Sequence, residues 1–201
     1  MSSPVPFYLI YRKVLLMKKT FYTAIAVCGV LTAVLWVLAW RFGGELLITL
    51  LTTAATTFYH LLMRLVIGFA VHHTFPKQVN PQNRWFRERK WEKRLWKLLR
   101  IRKWARRVPT FDPAQFDVKT HTPEQLARQM CLSETVHVLI VVCGYCSLLF
   151  CFFFEDPAAS LAPFLITAVL AGLYDLQFVL LQRYNRPKVL RLIKRHRRMD
   201  L

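Results

Sequence analysis

Acidic side chains are scarce in this sequence. Only 11 Asp and Glu stand against 29 Lys and Arg, a formal charge of +18 on 201 residues. A disulfide framework is missing too. Cys28, Cys131, Cys143, Cys146 and Cys151 lie in or at the edge of apolar runs, where Cys acts as a small hydrophobe. Cys143 and Cys146 form a C-x-x-C with no second ligand pair nearby, short of the four ligands of a zinc site. Glu134-x-x-His137 has the spacing of a di-iron bundle but lacks the matching sets on other helices. Neither a metal nor another cofactor is therefore expected. No nucleic-acid-binding motif accompanies the positive charge, so nucleic acid is set aside as a partner.

What is abundant is apolar surface: 55% of the residues are hydrophobic. High charge and high hydrophobicity coexist here because they are segregated along the chain. Four apolar runs, at about residues 20–40, 46–71, 130–154 and 158–181, each reach the ~20 residues that cross a bilayer. The first is too long for a signal-peptide core and a second follows at once, so no cleavage is expected. Arg41–Glu45 (RFGGE) has two glycines suited to a tight turn, and a TTAATT run in the second span lets helices approach closely. Lys and Arg crowd the N-terminus, the 72–127 region and the tail after residue 181, which places all three in the cytoplasm. The expectation is an all-α, integral membrane four-helix bundle, one membrane domain over residues 1–201, with both termini inside.

Residues 84–107 hold twelve basic and two acidic side chains, interleaved with Trp85, Trp91, Trp96 and Trp104. Trp91, Leu95, Leu98 and Leu99 recur at helical spacing, and Ile101, Trp104 and Val108 continue the stripe imperfectly. This predicts one basic amphipathic helix over 84–108, lying among anionic lipid headgroups. Thr122-Pro123-Glu124 predicts the start of a further short helix, with Pro at its first position.

Polar residues interrupt the spans at related depths. Glu134 and His137 share one face of the third span, Arg64 and His60 lie one turn apart in the second, and Asp175 lies in the fourth. Ionisable groups inside a membrane are costly and need a partner or a task. A structural reading has Arg64 paired with Glu134 or Asp175 to pin the bundle. The chemical reading makes His137 a general base oriented by Glu134, with Arg64 or His60 facing a carbonyl or developing oxyanion and Asp175 completing the pocket. His72 and His73, at the span boundary, are weaker candidates.

Three separated stretches then resemble one family. They are Arg102-Lys103-Trp104 with Arg107-Val108-Pro109-Thr110 behind it and Trp91-Glu92 ahead, Glu134-Thr135-Val136-His137, and Gln182-Arg183-Tyr184-Asn185-Arg186-Pro187. Together they resemble the glycosyl-4,4'-diaponeurosporenoate acyltransferases, small bacterial membrane proteins. Ala105-Arg106 and Val138 depart from the family pattern. The resemblance implies transfer of a fatty acyl group onto a hydroxyl of a glycosylated or other lipid-linked acceptor at the cytoplasmic face of a bacterial cell membrane. It also implies an acyl-CoA donor, whose phosphates would meet the basic segment and Arg183, Arg186 and Lys188. Gln182, Arg183, Asn185, Arg186, Trp104 and Lys103 are the expected substrate-binding residues. Two rivals stand beside this: a non-catalytic protein that binds anionic lipid or steadies a partner complex, and a lipid hydrolase using the same polar groups.

Overall fold

A computed structural model gives the fold and describes residues 7–74, 79–105, 108, 113–117 and 120–199. All regular structure among them is helical. The elements are α1 (Phe7–Phe42), α2 (Glu45–Thr74), α3 (Glu92–Leu98), α4 (Ile101–Trp104), α5 (Pro123–Tyr145) and α6 (Pro157–Met199). Tighter 3₁₀ turns form at Arg84–Phe86, Pro113–Phe116 and Cys146–Phe153. Four stretches are long and apolar enough to cross a membrane: Leu15–Phe42, Glu45–Thr74, Pro123–Phe153 and Ser160–Arg195. The chain divides into two compact units, Met1–Leu65 and Val66–Leu201.

In the first unit, α1 and α2 are joined by Gly43 and Gly44, at φ 64° and 98°. A side chain rarely adopts those angles, so the two glycines make the reversal possible. The close approach of the two helices is set at Gly29, where an added Cβ would sit 3.0 Å from the Phe58 ring. Most threonines here bond to their own helix. Thr49, Thr52, Thr53 and Thr57 each donate to the carbonyl four residues back, which satisfies a hydroxyl with no outside partner. The outer surface carries Leu16, Val30, Trp36 and Trp40, all well exposed, as a lipid-facing helix requires.

The second unit is built on α5 packed against α6. Leu126, Ala127, Cys131, Leu132 and Ile140 of α5 meet Phe164, Ala168, Val179 and Ile193 of α6 in a buried core. Thr122 caps α5 with a capping box: its hydroxyl accepts from Gln125 N, and the Gln125 side chain accepts from Thr122 N. The expected short helix at Thr122 is therefore the first part of the third span itself. The fourth span likewise continues through the basic tail. α6 runs 43 residues, about 65 Å, with Pro187 inside it. Proline has no N–H to donate to the Arg183 carbonyl, yet its neighbours hold the helix.

The basic segment differs most from expectation. In place of one helix it forms a 3₁₀ turn, α3 and α4. The break falls at Arg100, which takes the left-handed conformation at φ 48°. The Trp104 indole N–H donates to the Leu99 carbonyl and ties the two pieces together. The buried face is also different from the expected stripe. Phe86, Glu92, Trp96 and Ile101 turn inward, while Trp91, Leu98 and Leu99 are exposed. Residues 106–107 and 109–110, part of the expected helix and of the motif behind it, lie outside the described residues.

Candidate active site

Asp175, Phe178, Gln182 and Arg186 follow one another at spacings of three or four along α6 and so share a stripe. Asp175, Gln182 and Arg186 are buried. The facing helix α5 supplies Glu134 and His137, one turn apart. Two polar assemblies result.

The first joins His137 to Asp175. His137 Nδ1 lies 3.0 Å from Asp175 Oδ1. The imidazole stacks on the Phe178 ring, centroids 4.6 Å apart and planes 9° apart, which fixes its orientation. The carboxylate favours the tautomer with its proton on Nδ1, which puts the lone pair on Nε2. Nε2 has no hydrogen-bond partner among the described residues. The His137 side chain is 21% exposed and that of Asp175 only 3%, so the imidazole is reachable while the carboxylate is shielded.

The second assembly is a clamp of two arginines and two glutamates. Arg183 donates to Glu134 Oε1 at 2.6 Å and to Glu92 Oε1 through Nε and Nη2, at 2.9 and 2.5 Å. Arg186 donates to Glu134 Oε2. The remaining donors reach backbone. Arg186 bonds twice to the Phe86 carbonyl, at 3.2 and 2.6 Å, and Arg183 reaches the carbonyls of Trp85 and Arg87 at 3.3 and 3.5 Å. The Arg186 guanidinium also stacks over the Phe86 ring at 5.0 Å. Glu134, Glu92 and Arg186 are almost wholly buried. Two positive and two negative charges cancel, the condition under which such burial is tolerable.

This geometry reassigns three expected roles. Glu134 does not orient His137, because both its oxygens are held by α6 arginines and Asp175 occupies Nδ1. Arg183 and Arg186 are not open to donor phosphates, since carboxylates and carbonyls already take their N–H groups. Glu92, absent from the expected site, is a principal clamp member. Its signal in the sequence was isolation, as one of two acids among twelve bases in residues 84–107. Phe178 was also missed, although it follows Asp175 by three residues on one face.

The other expected residues are placed as follows. His60 and Arg64 are one turn apart on α2 in the first unit, with the His60 ring edge-on to Tyr59. Gln182 is buried on the α6 stripe. Asn185 Oδ1 accepts from Lys188 Nζ at 3.1 Å, and that ammonium lies 3.5 Å from the Tyr184 ring centroid. Trp104 uses its indole N–H locally, as described, and Lys103 is exposed beside it. His73 Nδ1 lies 2.9 Å from the Phe69 carbonyl on its own helix.

A family model for glycosyl-4,4'-diaponeurosporenoate acyltransferase matches residues 82–195, more than half of the chain. The chain belongs to this family. No curated protein and no solved structure matched it. The matched stretch takes in every residue of the clamp and of the His137/Asp175 pair, and it begins after α2. An acyltransferase family and four membrane-span helices together describe a membrane protein of acyl-transfer chemistry, which calls for an acyl donor and a lipid-linked acceptor.

Proposed function

We propose that this protein transfers a fatty acyl group from a thioester donor to a hydroxyl of a glycosylated lipid at the cytoplasmic face of a bacterial cell membrane. His137 is the general base and Asp175 holds it in the required tautomer. The observation that carries the reading is the His137–Asp175 pair, with Nε2 unengaged on a ring that solvent or substrate can reach. Nε2 takes the proton of the acceptor hydroxyl as its oxygen attacks the thioester carbonyl carbon. The C–S bond then breaks, the sulfur leaves with the proton from the imidazolium, and the new ester remains on the acceptor. This reading assigns Gln182 and Asn185, on the same helix as Asp175, to the acceptor's polar head. The basic termini and the basic 72–127 region support a cytoplasmic site.

The test supplies the purified protein with acyl-CoA labelled in its acyl chain, together with a bacterial lipid extract. A labelled glycolipid formed by the wild type and lost in His137→Gln is expected. Labelled free fatty acid in its place would reassign the site to hydrolysis. No labelled product of either kind from a folded, lipid-supplied protein would overturn the reading.

A further inference from the structure

Next to the clamp the second unit contains a cavity of about 570 Å³, within the size range of small-molecule sites. Three elements form it: the 80–87 loop, the first turns of α5 and the last turns of α6. Arg87, Arg128 and Lys194 each reach it from a different one of these, against a single carboxylate, Glu124. Leu190 and Ile193 supply an apolar wall.

The chemistry of these cations is the reverse of the clamp's. Arg87 donates only through Nε, to the Gln82 carbonyl at 3.1 Å. Its terminal nitrogens, the Arg128 guanidinium and the Lys194 ammonium have no protein acceptor among the described residues. An ordinary basic surface would also show unengaged cations, but it would not converge three of them on one concavity. The wall is held rigidly as well. The carbonyls of Trp85, Phe86 and Arg87 all accept from Arg183 or Arg186, so the clamp fixes the loop that presents Arg87.

We propose that this cavity is a phosphoanion site, with Arg87, Arg128 and Lys194 as its ligands. Guanidinium forks suit phosphate oxygens, and a net +2 lining, three cations less one carboxylate, suits a dianion. Arg128 precedes His137 by nine residues of one helix, about 14 Å along the axis. A phosphate bound here would lie a long arm's reach from the base, as in a thioester donor whose acyl carbon and phosphates are separated by a flexible chain. That last assignment, to the donor, rests on the proposed acyl transfer; occupancy by a phosphoanion does not.

The experiment places the full-length protein in nanodiscs of phosphatidylcholine and titrates coenzyme A, then pyrophosphate as competitor. The same titration is run on R128Q/K194Q and on Arg195→Gln, an exposed α6 cation that does not line the cavity. Wild type and Arg195→Gln should bind coenzyme A alike, pyrophosphate should displace it, and the double variant should bind about tenfold or more weaker, since two charge-assisted contacts are lost. A second arm measures melting in nanodiscs with and without anionic phospholipid. Stabilisation by anionic lipid that is lost in R128Q/K194Q, with no coenzyme A binding, keeps the site but assigns its phosphate to a lipid headgroup. Equal behaviour of wild type and double variant in both arms overturns the site. Normal coenzyme A binding without acyl transfer leaves the site standing and counts against the proposed reaction instead.

Discussion

The Arg183/Arg186/Glu92/Glu134 clamp and the His137/Asp175 pair lie one turn apart on α5 and share the α6 stripe. In the clamp every arginine is engaged several times over, by carboxylates and by three successive carbonyls of the 85–87 loop. In the pair, one ring nitrogen is held and the other is left open. The clamp is neutral and largely buried, an arrangement suited to maintaining structure. Arginine holds both Glu134 oxygens and Glu92 Oε1, and among the described residues Glu92 Oε2 alone of its carboxylate oxygens is unpartnered. The pair is partly exposed and has a lone pair directed away from its partner, which is the state of a group able to move a proton. Polar groups on the same two helices thus sit in two different states of engagement. The engagement of each nitrogen tells them apart better than residue type does: all three side-chain nitrogens of Arg183 and of Arg186 donate, while only one of the two in His137 is held.

Substitutions can break that distinction. The largest effect is expected for Glu134→Gln, which leaves Arg183 and Arg186 facing one carboxylate where they had two. Stability should fall by about 3–5 kcal/mol, the usual cost of breaking a buried charge assembly from one side. Denaturant or thermal unfolding in detergent measures it, and a cost below about 1 kcal/mol would remove the clamp from its structural role. Asp175→Asn should act mainly on turnover. An amide no longer dictates the tautomer of His137, so acyl transfer should drop about 100-fold or more while the fold persists. Activity close to wild type in that variant would show that Asp175 does not orient the base. The smallest effect is expected at Thr122→Ala, remote from both assemblies, where loss of the α5 cap should cost about 1 kcal/mol and leave turnover unchanged at a temperature where the variant is folded.

Much of this arrangement could be read from the sequence because membrane helices announce themselves by length and composition. The four spans, the Gly43-Gly44 reversal and the Thr122-Pro123 helix start were all legible, since each depends on local chemistry. His137 and Asp175 could be placed at a similar depth for the same reason. The partner of each charge could not be. Glu134 and Asp175 are both within reach of a histidine by depth alone, and which one meets Nδ1 depends on the rotation of α5 against α6. The basic segment misled for a related reason. Its hydrophobic period pointed to Trp91, Leu95, Leu98 and Leu99, but Arg183 draws Glu92 inward, and Trp96, one turn later, follows on the same face. A buried ion pair overrode the apolar pattern, and nothing local to residues 84–108 encodes the arginines that caused it.

In the proposed mechanism His137 performs chemistry while the clamp beside it maintains structure. The most direct test is acyl transfer by His137→Gln, measured on protein whose melting temperature is recorded in the same preparation. Turnover should fall about 10²–10⁴-fold with a melting temperature close to wild type, as expected when a partly exposed general base is removed. Wild-type turnover in a folded His137→Gln protein would contradict it.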